Sequence, residues 1–377
     1  MPSLDPRSLI AMAGVMSLLM ALVLWLMRRT YPKSIRGLEL WAAAPLLWLL
    51  STALFSLRGR IPDMLGLVVA NTLLLLGAMC YHQGTRRFFG QRPAWRPWLL
   101  WLSATFAVMT VLTVVYPSYL LRVGFFTVSV SIVYGALLTF LMRHGGGSFP
   151  VRLVQVVLVL HLLVLVFRVY TLSQGLGGTD LMDRDPIQTL YISAYTLTTL
   201  MLPLGGVLMA TDRLRNELEH LATHDPLLPV LNRRAFMEAF KHELARARRS
   251  GSGPALLMLD LDHFKAINDT HGHQHGDAVL LHVVERVQAS LRSTDVLARH
   301  GGEEFAVLLP ETPRADAQVL AQRLHAALAQ GHALDCTVSI GATAWQGADD
   351  TVDAMLLRAD AALYRAKDAG RNQTCVG

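Results

Sequence analysis

Long apolar runs fill the first 210 residues of the chain, whereas the remainder alternates short apolar runs with polar segments. Most of the long runs reach the roughly 20 residues that a helix needs to cross the hydrocarbon core of a bilayer. Seven such runs are visible, at about 8–27, 38–57, 64–81, 97–116, 120–142, 153–172 and 187–210. The pattern predicts an all-α polytopic membrane bundle of about seven spans over residues 1–210.

The segment 211–223 continues the last apolar run with a different pattern. Leu214, Leu218 and Leu221 follow a four-then-three spacing, with charged residues between them. This spacing is typical of a short coiled-coil seam, and equally of a simple amphipathic linker helix. Either interpretation makes residues 211–223 a linker between the membrane region and a second domain at 224–377.

Residues 224–377 have the periodicity of an α/β domain. An apolar run ends at Asp260 and Asp262 and predicts a strand, because strands place alternate residues on one face. The sequence then predicts a helix at about 277–291, two short strands around G-G-E-E-F, a helix at about 315–330, a strand in C-T-V-S-I-G-A-T-A-W and a helix at about 352–369. The order β-α-β-β-α-β-α fits a split βαβ, ferredoxin-like arrangement.

Composition supports this division. The chain is 53% hydrophobic and only 16% charged, whereas a soluble domain usually carries about 25% charged residues. Residues 1–205 hold 16 Lys and Arg against 6 Asp and Glu, and residues 206–377 hold 18 against 22. The basic excess therefore belongs to the membrane region, and no nucleic-acid partner is expected. The three cysteines are widely separated, which argues against a zinc site and fits a reducing compartment.

The loops between the predicted spans alternate in positive charge. The loops after spans 1, 3, 5 and 7 are rich in Lys and Arg: Arg28, Arg29, Lys33, Arg36, Arg86, Arg87, Arg92, Arg96, Arg143, Arg152, Arg213 and Arg215. The opposite loops carry Arg7, Arg58, Arg60, Arg122 and an acidic group, Asp180, Asp183 and Asp185, with Arg184. Because cytoplasmic loops are enriched in Lys and Arg, we expect an extracytoplasmic N-terminus and a cytoplasmic C-terminal domain.

Ionisable and polar residues within the predicted spans are candidates for function. His161 and Arg168 lie seven residues apart and therefore on one helical face. The last span adds a polar group: Tyr191, Ser193, Tyr195 and Thr196. These residues could form a pocket for a ligand or a redox cofactor. Alternatively, Arg168 reaches the membrane interface and His161 bonds to a neighbouring helix.

Three carboxylates are predicted to meet in the second domain. Asp260 ends a strand, and Glu303 and Glu304 follow the glycine pair of R-H-G-G-E-E-F, which resembles a hairpin turn. Clustered carboxylates repel one another unless a cation lies between them. Mg²⁺ prefers oxygen ligands and is usually held by one or two carboxylates together with substrate phosphates. Two such ions can promote displacement at phosphorus.

The stretch from about Thr223 to Asn372 resembles a GGDEF domain, a nucleotide-cyclase palm domain of the diguanylate cyclase family. The matching motifs occur in one order: H-D-P-L, N-R-R-A-F, D-L-D-H-F-K-A-I-N-D-T-H-G-H-Q-H-G-D, R-S-T-D, R-H-G-G-E-E-F, S-I-G and A-D-A-A-L-Y-R-A-K-D-A-G-R-N. Here the motif has the G-G-E-E-F form. One departure concerns D-P-L-L-P-V-L-N-R, where Leu228 and Pro229 stand in place of the family's usual Thr and Gly. This replacement restricts a turn and bears on regulation.

The resemblance implies a metal site and a catalytic base. The implied metal ligands are Asp260, the carbonyl of Leu261, Glu303 and Glu304, with two Mg²⁺, or Mn²⁺, per site. Glu303 would also be the base for the ribose 3′-hydroxyl. Gly301 and Gly302 would let the backbone approach the phosphates, since glycine has no Cβ. Asp262 is expected to be structural.

The remaining implied roles concern GTP and product. Asn268 and Asp277 would recognise the guanine edge, and His273 would contact the nucleotide. The triphosphate contacts would be Lys265, Lys367 and Arg371. Arg292 lies nine residues before Gly301, at the position of the family's R-x-x-D inhibitory site, which would bind cyclic di-GMP with Asp295. A plain surface Arg–Asp pair is the alternative.

The resemblance implies an enzyme of the bacterial cytoplasmic membrane that converts two GTP to cyclic di-GMP and two pyrophosphates. Two domains must face each other, so a homodimer is expected. The alternatives are a catalytically silent receptor for GTP or cyclic di-GMP, and a cyclase that makes a mixed or adenine dinucleotide. The retained carboxylates argue against the receptor, and Asp277 argues against adenine.

Overall fold

The structure, a computed structural model, describes residues 5–176, 185–329 and 336–377. The chain divides into two compact units, Met1–Arg215 and Asn216–Gly377. Of the acidic loop expected before the last span, Asp180, Asp183 and Arg184 lie outside the described residues.

The described part of the first unit contains seven helices that are long and apolar enough to cross a membrane, as the sequence predicted. They are α1 Pro6–Thr30, α2 Leu38–Ser56, α3 Met64–Phe88, α4 Trp95–Val115, α5 Tyr119–His144, α6 Phe149–Ser173 and α7 Pro186–Thr223. The first turn of α3 and the last turn of α4 are π-helical. The ends of α3 and α7 extend beyond the predicted spans because those spans covered only the apolar part of each helix.

Small residues bring α2 and α3 close together. Gly77 and Gly84 of α3 lie against Trp48 and Trp41 of α2, and a Cβ at either glycine would overlap the facing indole ring. The indole N–H of Trp48 donates to the Leu74 carbonyl at 3.1 Å. Close approach at small residues, with polar groups bonded across helices, is typical of membrane bundles.

The outward faces of these helices are apolar. Leu160, Leu163 and Val166 of α6 are 57%, 61% and 66% exposed. A run of exposed aliphatic side chains is unfavourable in water and favourable in lipid. The seven helices are therefore compatible with a multi-pass membrane protein.

His161 and Arg168 of α6 both contact neighbouring helices. The Nδ1 of His161 lies 2.7 Å from Thr198 Oγ1 on α7, and its ring packs edge-on against Tyr134 of α5. The guanidinium of Arg168 stacks over the ring of Tyr191. His161 thus makes the interhelical bond that the sequence offered as one alternative, and Arg168 turns toward α7.

The second unit is an α/β domain with a six-stranded mixed sheet. Its strands are β1 Leu231–Asn232, β2 Ala255–Leu261, β3 Val296–Arg299, β4 Glu304–Leu309, β5 Val338–Ala344 and β6 Thr374–Val376. Its helices are α8 Arg233–Ser250, α9 Phe264–His271, α10 His273–Ser290, α11 Arg314–Ala329 and α12 Val352–Asp368. The strand order β1-β3-β4-β2-β5-β6 contains the predicted split βαβ arrangement at its centre.

Strand β2 is buried on both faces because helices cover both sides of the sheet. Leu257 and Leu259 pack in one cluster with apolar residues of α10 and α11. Leu256 and Met258 pack in another with apolar residues of α8 and α12. A Cβ at Gly341 of β5 would overlap the backbone of α12, so glycine there permits this close packing. The central strand is therefore held firmly, with its polar end at Asp260.

The predicted linker is the last part of α7, which continues without interruption to Thr223. Leu214 is partly buried against the core of the first unit. Leu218 and Leu221 are 56% and 67% exposed. Two of the three leucines of the predicted seam are therefore accessible in a single chain.

Candidate active site

Asp260 and Glu304 face each other at one end of the sheet. Asp260 in β2 pairs in register with Glu304, the first residue of β4, and Asp260 is only 6% exposed. Its Oδ2 lies 2.8 Å from the ammonium of Lys367 on α12. Burial raises the pKa of Asp260, the ion pair with Lys367 opposes this, and the charges of Glu304 and Asp262 raise it further. The carboxylates are thus close enough to repel one another.

The glycine pair forms the turn that brings Glu303 to this end of the sheet. The Gly301 N–H donates to the Glu304 carbonyl at 3.3 Å, and the Leu261 N–H donates to the Glu303 carbonyl at 3.3 Å. A Cβ at Gly301 would lie 2.9 Å from Glu304 Oε2, whereas one at Gly302 would face open space. The turn therefore sets half-buried Glu303 beside the end of β2.

The oxygens expected to hold a cation here are the carboxylates of Asp260, Glu303 and Glu304 and the backbone carbonyl of Leu261, and of these residues Asp260 and Glu304 lie in register. Among residues 5–176, 185–329 and 336–377, no three His, Cys, Asp or Glu side chains lie close enough to complete a metal site. The set nevertheless fits a divalent cation shared with a phosphate, since Mg²⁺ takes only one or two carboxylates in such sites. The ion pair with Lys367 is a feature the sequence did not predict.

Asp262 is a structural anchor, as the sequence suggested. Its carboxylate accepts hydrogen bonds from Thr337 Oγ1 and Ser339 Oγ, both at 2.7 Å, and from the Asn372 N–H at 3.0 Å. Asp262 is 4% exposed. One buried carboxylate therefore ties the end of β2 to β5 and to the turn after α12.

The residues expected to contact the guanine lie on α9 and α10. Asn268 is half-buried on α9, and a Cβ at Gly276 of α10 would overlap its side chain. Asp277 directly follows Gly276 and is exposed, as are His273 at the start of α10 and Lys265 on α9. The close packing at Gly276 therefore brings Asn268 and Asp277 near each other, with Asp277 open to solvent.

Two of the three basic residues expected near the phosphates, Lys367 and Arg371, are placed differently. Lys367 pairs with Asp260, whereas Arg371 is exposed in the turn after α12 with a φ of 62°. The Arg371 N–H donates to the Ala366 carbonyl at 3.1 Å. The next residue, Asn372, donates to Asp262, so this turn is fixed next to the end of β2.

Arg299 contacts the glycine turn directly, and the sequence prediction gave it no role. Its Nε and Nη2 donate to the Gly302 carbonyl at 3.0 and 2.7 Å, and its Nη1 donates to Asp225 Oδ1 at 3.2 Å. Both residues stood within quoted motifs, H-D-P-L and R-H-G-G-E-E-F, but only the fold shows that they meet. Arg299 therefore connects the start of the domain to the turn that carries Glu303.

The departure at Leu228 and Pro229 preserves an ordered turn. Asp225 Oδ1 accepts from the N–H groups of Leu227 and Leu228, both at 3.0 Å. Leu228 is 2% exposed and belongs to the domain core. The backbone restriction expected from Pro229 therefore falls next to a turn that the Asp225 carboxylate already holds by hydrogen bonds.

Arg292 and Asp295 line a surface pocket of about 410 Å³ that also includes His224, Pro229 and Gln288. Asp295 Oδ2 accepts from the backbone N–H of Arg292 at 2.8 Å. Within the described residues, the two side chains do not form an ion pair, and Arg292 is exposed. The carboxylate of Asp295 thus bonds to the backbone of Arg292, and both residues line the pocket.

Residues 222–373 match the family described as "Diguanylate cyclase, GGDEF domain". The C-terminal unit is a GGDEF domain. Diguanylate cyclase DgcP of Pseudomonas aeruginosa is 45% identical over 158 residues, which cover 40% of this chain and 23% of that protein. Response regulator PleD of Caulobacter vibrioides is 38% identical over 208 residues, which cover 52% of this chain and 44% of that protein.

This chain therefore spans less than half of the length of either curated relative. Among solved structures, the coiled coil and GGDEF domain of DgcB from Caulobacter crescentus, in complex with c-di-GMP, is 31% identical. The match covers 48% of this chain and all of that one, with a TM-score of 0.42.

Proposed function

We propose that this protein is a membrane-bound diguanylate cyclase that converts two GTP molecules to cyclic di-GMP and two pyrophosphates. The observation that carries the proposal is the register of Asp260 with Glu304, beside the G-G-E-E-F turn of a GGDEF domain. The seven apolar helices support attachment to the bacterial cytoplasmic membrane. The alternation of loop charge supports an extracytoplasmic N-terminus.

Glu303 is the proposed base. It takes the proton of a ribose 3′-hydroxyl, whose oxygen then forms a bond to the α-phosphorus of the other GTP as the bond to pyrophosphate breaks. Two such transfers close the ring. Divalent cations, two Mg²⁺ or Mn²⁺ per site, supply charge neutralisation at the phosphates. Asp260, the Leu261 carbonyl, Glu303 and Glu304 would hold them.

The remaining residues bind and orient GTP. Asp277 and Asn268 recognise the guanine edge, because a carboxylate accepts from the two adjacent N–H donors of guanine. His273 contacts the nucleotide, and Gly301 and Gly302 lie along the phosphates. The phosphate contacts are Lys265, Lys367 and Arg371. The pairing of Lys367 with Asp260 supports placing the phosphates beside the carboxylates.

The active enzyme is proposed to be a homodimer. Each domain holds one GTP, so the reaction needs two domains face to face, and proximity supplies much of the catalysis. Exposed Leu218 and Leu221 on the last turns of α7 support an association of two copies along this helix.

Product inhibition is proposed at the pocket of Arg292 and Asp295. The exposed Arg292 guanidinium suits the phosphates of cyclic di-GMP. Under this proposal, cyclic di-GMP inhibits the wild type and leaves Arg292→Ala active. Equal inhibition of both would remove the assignment.

The second candidate is a silent receptor that binds GTP or cyclic di-GMP without turnover. The two are separated by incubating purified full-length protein in a bilayer mimic with GTP and Mg²⁺ and following cyclic di-GMP by chromatography. Sustained product formation is expected. Saturable GTP binding with no product, also after chemical cross-linking of dimers, would favour the receptor.

A further inference from the structure

A cavity of about 140 Å³ lies inside the helical unit. All seven helices of that unit contribute to its wall, and most of the wall is apolar, for example Leu74, Met109, Val130 and Leu165. An apolar cavity of roughly 150 Å³ in a protein interior can hold a benzene-sized body. The cavity is therefore large enough for a small ring or a short alkyl chain.

Three arginines line the same cavity. Arg58 follows α2, Arg122 lies in the first turn of α5 and Arg168 lies near the end of α6. In the predicted orientation all three are at the extracytoplasmic ends of their helices. An ionisable side chain within a membrane bundle is a candidate for a functional site, and Arg168 is the one whose contacts the structure defines.

Arg168 is held in place before any ligand arrives. Its guanidinium carbon lies 4.4 Å from the centre of the Tyr191 ring. The Tyr191 hydroxyl is in turn 3.1 Å from Thr171 Oγ1, one turn along α6. A fixed cation binds an anion more tightly than a mobile one, because less side-chain entropy is lost on binding.

Tyr195 gives a second, independent indication of a ligand. It lines the cavity, and its hydroxyl is shielded from solvent without a hydrogen-bond partner among the described residues. Buried hydroxyl groups are normally hydrogen-bonded, and an exception calls for an explanation. An oxygen of a bound molecule would provide the missing acceptor.

We propose that this cavity binds a small lipophilic carboxylate. Its apolar body lies between the aliphatic walls, and its carboxylate accepts hydrogen bonds from Arg168 and from the Tyr195 hydroxyl. The proposal concerns the helical unit alone, and its test does not depend on the cyclase activity.

The first test compares three probes of similar shape and different charge. Full-length protein in phosphatidylcholine nanodiscs is titrated by calorimetry with benzoate, benzyl alcohol and benzylamine near neutral pH, at constant ionic strength. Saturable benzoate binding is expected, with Kd on the order of 1 mM or tighter. The alcohol should bind at least about tenfold more weakly, since it lacks the charge. Equal affinities for all three, or no saturable benzoate binding, would overturn the proposal.

Two variants test the position of the site. Arg168→Gln should weaken benzoate binding roughly 10- to 100-fold, because it removes a charged donor. Arg143→Gln, at the opposite end of α5 and outside the cavity wall, is the matched control and should bind as the wild type does. Wild-type affinity in Arg168→Gln would contradict the assignment.

A third variant keeps the proposal testable if Arg168→Gln does not fold. Val164→Phe places a larger side chain in the cavity wall without changing any charge. It should abolish benzoate binding while the helical content measured by circular dichroism stays unchanged. Undiminished binding by a folded Val164→Phe protein would show that benzoate binds elsewhere.

Discussion

The two units differ in how many buried polar groups lack a hydrogen-bond partner: such groups are more frequent among the described residues of the helical unit than among those of the GGDEF domain. In the GGDEF domain, Asp262 accepts three hydrogen bonds, and Asp350 accepts two from Arg358. In the helical unit, both ring nitrogens of buried His82 and the hydroxyl of Tyr195 have no hydrogen-bond partner among the described residues. Polar groups that are already paired stabilise a fold, whereas unpaired ones are available to a ligand.

Substitutions of paired and of unpaired polar groups are therefore expected to have different effects. Changes to paired groups of the GGDEF domain should reduce stability or disturb the position of the catalytic turn. Changes at a carboxylate without a hydrogen-bond partner, such as Glu303, should reduce catalysis and leave the free energy of unfolding nearly unchanged. Four substitutions test this difference.

The largest effect is expected at Glu303. Its side chain has no hydrogen bond within the described part of the domain, so Glu303→Gln should change the unfolding temperature little. Loss of a general base should lower the rate of cyclic di-GMP formation by about 10²- to 10⁴-fold. Glu285→Gln, on the exposed face of α10, is the control and should retain full activity. A Glu303→Gln protein that works at the wild-type rate would end the assignment of Glu303 as base.

The next largest effect is expected at Asp262, where substitution should lower the free energy of unfolding. Asp262→Ala leaves Thr337, Ser339 and the Asn372 N–H without their acceptor, which should cost about 2–4 kcal/mol of unfolding free energy. Asp262→Asn should cost less, because one oxygen remains and both hydroxyls can reorient. Urea-dependent proteolysis of the full-length protein measures the difference. Equal costs for Ala and Asn would contradict the anchor role.

A smaller effect is expected from Arg299, which contacts both Gly302 and Asp225. Arg299→Lys lacks the planar guanidinium whose Nε and Nη2 both donate to the Gly302 carbonyl while Nη1 donates to Asp225, so kcat should fall about tenfold. Asp225→Asn should act on the same turn, and the double variant should lose less than the product of the single losses. Strictly multiplicative losses would show that Arg299 and Asp225 act separately.

The smallest effect is a pH dependence at Asp350. Burial alone would raise the pKa of Asp350, but hydrogen bonds from Arg358 and from the Gln346 N–H outweigh it, so the pKa is lowered. The pair therefore adds stability above the ordinary aspartate pKa, and this is lost as the pH falls through the lowered value. Asp350→Asn should flatten the acid side of the stability profile. An unchanged acid slope would rule out this contribution.

Much of the fold could be predicted from hydrophobic periodicity. The seven apolar helices and the central strands of the domain follow directly from the spacing of apolar residues. The helix α8 was not predicted, although Asn232 caps it by accepting from the Ala235 N–H, and Phe236 and Phe240 lie one turn apart. The strands β1 and β6 span two and three residues, too few for a periodic signal.

The candidate site was predictable only in part. The convergence of Asp260 and Glu304 follows from strand order, so the sequence could suggest it. The ion pair of Asp260 with Lys367 joins residues more than a hundred positions apart and depends on how α12 packs across β5. The contact between Arg299 and Asp225 likewise depends on tertiary packing, which periodicity does not encode.

The most direct test of the central claim is a competition between nucleotides. Purified full-length protein in nanodiscs receives equal GTP and ATP with Mg²⁺, and the products are identified by mass spectrometry while pyrophosphate is measured. The account predicts cyclic di-GMP as the dinucleotide product, with two pyrophosphates released for each molecule formed. A mixed or adenine dinucleotide would contradict the guanine role of Asp277, and the absence of any cyclic dinucleotide would contradict the proposed enzyme.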